Sequence, residues 1–139
     1  MTTTHIPSPL VHLVARRASY LCEYCHTPQR ITGQTFHCDH IVPRSRGGQT
    51  VAENLAFACP HCNLAKQGRQ TAVDARTKCN VRLYHPRLDV WEGNFRWSTD
   101  FRRIFGRTRI GRATVAALRF NTPDLMHARP LWYLLNLIP

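Results

Sequence analysis

Residues 36–66 read FHCDHIVPRSRGGQTVAENLAFACPHCNLAK, and the fold is decided within them. Phe36–Val42 has the composition of a short strand, and Pro43 ends it because proline offers no amide to a ladder. The next segment, RSRGGQT at 44–50, carries the glycine pair and polar side chains of a loop. Asn54–Ala58 is a second extended candidate. A helix is predicted to open near Pro60, to carry Asn63 and Lys66 on successive turns of one face, and to weaken at Gly68.

Near the end of this stretch lies one CxxC pair, Cys59 and Cys62, and a second pair, Cys22 and Cys25, precedes it with 33 residues between the two. Two chelating pairs supply four thiolates, enough to close a tetrahedral zinc site. The spacer is longer than that of an ordinary zinc ribbon, which leaves room for strand, loop and strand inside the staple. Four protein ligands leave no open position, so the zinc is read as structural, its binding free energy serving as folding free energy. A redox dithiol needs only one such pair, and disulfides suit an oxidising compartment. Cys38, sharing a strand face with Phe36 and His40, is read as a small core filler.

The joint order of Asp39, His40, Ile41, Pro43, Gly47, Gly48, Asn54, Leu55, Cys59, Cys62, Asn63 and Lys66 closely resembles the pattern of the HNH endonuclease family. The resemblance implies an α+β fold: a ββα-metal core with a four-cysteine zinc staple, preceded by a helix and followed by a small β-hairpin and helix extension. It also implies hydrolysis of DNA phosphodiester bonds, by nicking or cleavage, with one Mg²⁺ or Mn²⁺ ion. In that pattern His40 is the general base, since imidazole takes a proton near neutrality without carrying permanent charge. Asn54 is expected to hold the ring through its carbonyl oxygen, and Asp39 and Asn63 to be the hard oxygen ligands of the divalent ion. An amide where many family members have histidine disfavours zinc there. Lys66, one turn beyond Asn63, is expected to reach a phosphate. His37 shares the strand face of Asp39, where support of the site is conceivable but ligation is not expected. Adjacent strand residues point to opposite faces, so the site is placed at the end or edge of the Asp39–His40 strand.

Outward from this core the chain is strongly basic. Its 139 residues carry a formal charge of +11, and 17 of its 19 basic residues are arginine, the side chain whose fork matches phosphate. The expected partner is therefore nucleic acid, double-stranded DNA in the first instance. Arg44, Arg46, Arg102, Arg103, Arg107 and Arg109, with Lys66, are the candidate contacts. Residues 1–9 read as a flexible arm, 10–80 as the nuclease unit with its zinc, and 81–139 as a basic, aromatic extension. Ser8 and Pro9 look like a helix start, with Leu10, Leu13, Val14, Arg17, Ala18 and Leu21 on one stripe. In the extension, Trp91, Phe95, Trp97, Phe101 and Phe105 alternate with arginines as in a hairpin. Residues 111–120 read as a helix with Arg112 and Arg119 outward, and Leu131–Ile138 as a packing tail. Residues 83–120 resemble an extension that follows the HNH core in a bacterial subgroup.

No leader or membrane-spanning run is evident, which points to a cytoplasmic protein, a monomer or homodimer without a membrane partner. Two other readings use the same residues: a zinc-stabilised nucleic-acid-binding module without turnover, and an RNA-acting nuclease or toxin. A binder has no need of Asp39, His40, Asn54 and Asn63 together.

Overall fold

The structure is a computed structural model that describes residues 5–138; part of the expected arm, residues 1–4, lies outside them. Helices are α1 (Ser8–Arg17), α2 (Gln29–Thr32), α3 (Pro60–Lys66), α4 (Trp91–Asn94), α5 (Arg109–Ala117) and α6 (Pro123–Leu134). The strands β1 (His37–His40) and β2 (Leu55–Ala58), β3 (Thr71–Val73) and β4 (Asn80–Arg82), and β5 (Phe95–Trp97) and β6 (Ile104–Gly106) form three antiparallel pairs. The α+β architecture is as expected, with β1, β2 and α3 making a ββα core.

That core is short and tightly registered. His37, Cys38, Asp39 and His40 pair with Ala58, Phe57, Ala56 and Leu55. All four residues of β2 are buried, because α1 packs along one side and α3 along the other. β1 is shorter than the predicted 36–42. Asn54 belongs to a tight turn before β2, and its side chain takes up both backbone polar groups of Val42, which leave the ladder.

Helix α1 begins one residue earlier than the sequence signals suggest: Pro7 is the cap and Ser8 makes no capping hydrogen bond. Its inward stripe is Leu10, Val14, Ala15 and Ala18, while Leu13 is turned to solvent. Arg17 reaches over β2 and donates to the carbonyls of Ala52 at 2.9 Å and Leu55 at 2.7 Å.

The extension wraps the core and shares its hydrophobic interior. Buried residues from Val14 through Tyr24, Phe57, Trp91 and Phe95 to Phe120 form one continuous cluster. Trp91 stacks on His26 with ring centroids 4.0 Å apart and donates its indole N–H to the Tyr24 carbonyl at 2.8 Å. Arg87 pairs with Glu23, whose other oxygen accepts from the Phe57 amide at 2.9 Å. The aromatic hairpin is β5–β6: Phe95 is wholly enclosed, and Phe105 lies under the Arg96 guanidinium, 4.4 Å from its ring centre.

Two features depart from expectation. Arg112 does not point outward; its guanidinium grips buried Asp74 at 2.9 and 3.0 Å, and this pair anchors the β3–β4 hairpin, whose three-residue strands are too short to give much sequence signal. The tail is helical from Pro123 despite Pro130, with Thr122 as its cap; Trp132 and Ile138 are buried. Among the described residues no helix is long and apolar enough to cross a membrane.

Phe95 touches Tyr84, Trp91 and Phe120, so it joins three parts of this interior. Phe95→Ala is expected to lower the unfolding free energy of the zinc-loaded chain by about 3–5 kcal/mol, measured by urea unfolding.

Candidate active site and metal centre

The four cysteines converge. Cys22, Cys25, Cys59 and Cys62 are buried, and their sulfur atoms all lie within 4.8 Å of one another. The Cys25 and Cys59 sulfurs are 3.7 Å apart, matching the roughly 3.8 Å edge of a zinc tetrahedron with bonds of about 2.3 Å. Cys59 also caps α3, its sulfur accepting from the Cys62 amide at 3.3 Å, so two sulfurs sit at the positive end of a helix. Burial pushes the Cys22 and Cys62 thiols well above their usual value, so a bound cation is what makes four ionised sulfurs tolerable here. The cluster has the ligand set, spacing and enclosure of a structural zinc site.

The staple ties the 22–25 turn to the start of α3, and that places α3 over β1. Asp39, 9% exposed, shows the result: its Oδ2 accepts from the Tyr24 hydroxyl at 2.8 Å and meets Lys66 Nζ at 3.1 Å. Asn63 lies one turn before Lys66 on the same face of α3, half-buried, and takes no part in the network joining Asp39, Tyr24 and Lys66. A carboxylate oxygen and an amide oxygen thus remain uncommitted on facing elements, a donor pair suited to a hard divalent ion.

His40 ends β1, half-exposed, with Nε2 hydrogen-bonded to the Thr50 hydroxyl at 2.9 Å. Burial, together with the positive charges of Arg44 and Lys66, lowers its pKa, and the Asp39 carboxylate offsets part of that effect. The ring is therefore neutral at pH 7 and able to accept a proton.

Several expectations need correction. Asn54 does not hold His40. Its Oδ1 accepts from the Val42 amide at 2.9 Å, and its Nδ2 donates to the carbonyls of Val42 at 3.0 Å and Gln49 at 2.9 Å. It is a clasp on the loop from which Thr50 reaches the imidazole. The glycine pair serves the same closure: a Cβ at Gly48 would lie 1.7 Å from the Val42 carbonyl oxygen, and Gly47 sits at φ +88°. Lys66 is not a surface phosphate contact; it is 2% exposed and pointed inward, with the carbonyls of His40 and Ile41 at 3.4 and 3.3 Å. His37 is exposed and touches nothing in this network. Arg44, Arg46, Arg102, Arg103, Arg107 and Arg109 all reach the surface, the first two on the loop that follows His40.

Sequence reasoning passed over Tyr24 and Thr50. Tyr24 is fully enclosed, and burial and the Asp39 charge push its phenol well above its ordinary value, keeping it a donor. Its place between the two cysteines of a chelating turn was the available signal. Thr50 had none, since its role depends on how the loop closes. His61 on α3 ties the site to the extension: its Nε2–H donates to the carbonyls of Leu118 at 3.0 Å and Arg119 at 2.9 Å.

In the zinc-loaded chain without added divalent ion, the His40 ring is expected to titrate with a midpoint below 6.5, followed through its ring protons by NMR. Asn54→Ala should lower the unfolding free energy by about 1–3 kcal/mol while leaving bound zinc unchanged, because two Val42 backbone groups lose their partner.

Comparison with known proteins agrees with this geometry. The model of the HNH endonuclease family matches residues 22–69, from the first staple cysteine to just beyond the end of α3. Neither the curated proteins nor the solved structures yielded a match to the chain. The segment from Cys22 to Arg69, which holds the four-cysteine cluster together with Asp39, His40, Asn54 and Asn63, is thus the part of the chain that matches the HNH endonuclease family.

Proposed function

We propose that the chain is a divalent-metal-dependent endonuclease that hydrolyses DNA phosphodiester bonds, with residues 10–80 as the catalytic unit and 81–139 as its clamp and basic flank. The observation that carries this reading is that Asp39 and His40 end β1 against α3: Lys66 reaches Asp39 Oδ2 at 3.1 Å, and Asn63 stands one turn before Lys66 on the same helix.

Their chemistry divides the work. His40 takes a proton from the attacking water, and Thr50 holds the ring by its Nε2 so that it presents one edge to solvent. Asp39, held by Tyr24 and Lys66, and Asn63 would hold Mg²⁺ or Mn²⁺. When bound, that ion supplies positive charge against the negative charge that builds up on the phosphate and the leaving oxygen. Asn54 maintains the loop and with it the place of Thr50. Arg44 and Arg46 beside the site, and Arg102, Arg103, Arg107 and Arg109 on the extension, bind the phosphate backbone and contribute affinity rather than sequence choice. The cysteine cluster holds zinc for structure alone.

The test is incubation of the zinc-loaded chain with supercoiled plasmid and Mg²⁺ or Mn²⁺, with EDTA and a zinc-loaded His40→Ala variant as controls. Conversion to open-circular or linear DNA is expected only with the divalent ion, and His40→Ala should slow it by about 10²–10⁴-fold. Retention of DNA without conversion by the intact chain would favour a binding module, and selective loss of RNA an RNA-acting enzyme.

A further inference from the structure

The corrected position of Lys66 has a consequence for the divalent site. Its ammonium group is withdrawn from solvent and surrounded by oxygen: Asp39 Oδ2 at 3.1 Å and the carbonyls of Ile41 and His40 at 3.3 and 3.4 Å. Tyr24 donates to the same Oδ2 at 2.8 Å, so both donors occupy one oxygen and leave Oδ1 free. The one carboxylate at the site is therefore paired with one ammonium, and Asn63, an amide, adds no charge. Arg44, on the loop that follows His40, adds a positive charge close enough to act on that ring.

A magnesium-type ion is ordinarily held by one or two carboxylates together with substrate phosphates. Here the single carboxylate is already neutralised by a fixed charge a few ångströms from where the ion would bind, and within a protein such repulsion is much less screened than in water. We infer that Lys66 is a positioning residue that makes divalent-ion binding conditional on nucleic acid: it holds Asp39 in place but cancels its charge, so that a bound backbone phosphate must supply the missing negative charge. By linkage, the ion then tightens nucleic-acid binding by the same factor. This rests on the nuclease reading for the identity of the site and adds the order in which its components assemble.

The experiment measures Mn²⁺ uptake by electron paramagnetic resonance on the zinc-loaded, cleavage-incompetent His40→Ala chain, alone and with a short DNA duplex. The same chain carrying Asp39→Asn defines uptake elsewhere on protein and DNA. Mn²⁺ is expected to bind the Asp39 site at least about tenfold more tightly with the duplex present. Adding Lys66→Met should raise affinity in the free protein by about tenfold or more and shrink the gain from DNA. Lys66→Gln, which keeps a donor toward Asp39 but no charge, should behave likewise and serves if the methionine variant does not fold. Should neither variant fold, the comparison with and without duplex decides alone.

Two results would overturn the inference: equal Mn²⁺ affinity with and without the duplex, or folded, zinc-replete Lys66 variants that bind Mn²⁺ no more tightly than their parent. Either could occur while plasmid cleavage still requires His40, which leaves the nuclease reading intact. Conversely, cooperative Mn²⁺ uptake by a chain that never cleaves would sink that reading and not this one.

Discussion

Four sulfur atoms within 4.8 Å of one another govern this molecule. The chain between the two cysteine pairs contributes two four-residue strands, the one-turn helix α2 and loops, too little apolar surface to hold its own shape. Closing the staple brings the 22–25 turn to the first turn of α3 and so places the helix over β1. The contact of Tyr24 and Lys66 with Asp39 follows from that closure, because one donor lies inside the first chelating pair and the other lies just past the second.

A second layer of restraint comes from the extension, which grips the staple region from both ends. Trp91 and Arg87 hold the first turn through the Tyr24 carbonyl and Glu23, and the carbonyls that end α5 receive His61 of α3. Its aromatic residues are therefore largely spent on the interior, as Phe95 and Trp91 show, whereas its exposed arginines remain for a polyanion. A single segment thus supplies hydrophobic mass to a core too small to stand alone and adds a basic surface beside it.

Charge is arranged differently around the cysteines and around Asp39. Around the cysteines, burial disfavours bare thiolates, so four of them converging at a helix start need a cation to be ionised together. At Asp39 the buried ammonium of Lys66 pairs with the carboxylate, and burial lowers the pKa of the adjoining His40. The first arrangement suits a permanent structural ion.

The spacing of Cys22, Cys25, Cys59 and Cys62, the Asp39–His40 pair and the Gly47–Gly48 turn was enough to specify a stapled ββα core. Those features act locally or through covalent spacing, and their geometry follows from residue type: thiolates chelate in pairs, and glycine alone tolerates the approach of Gly48 to Val42. Side-chain partnership was not legible in the same way. Asn54 bonds the backbone rather than His40, Thr50 takes the imidazole, Lys66 turns inward and Arg112 finds Asp74. Each of these depends on which polar groups are left unpaired once the loop closes and the extension wraps around, and a buried polar group pairs with whatever the tertiary fold places within reach. Residue types and spacings therefore determined the elements and the chemistry on offer, while packing decided which groups meet.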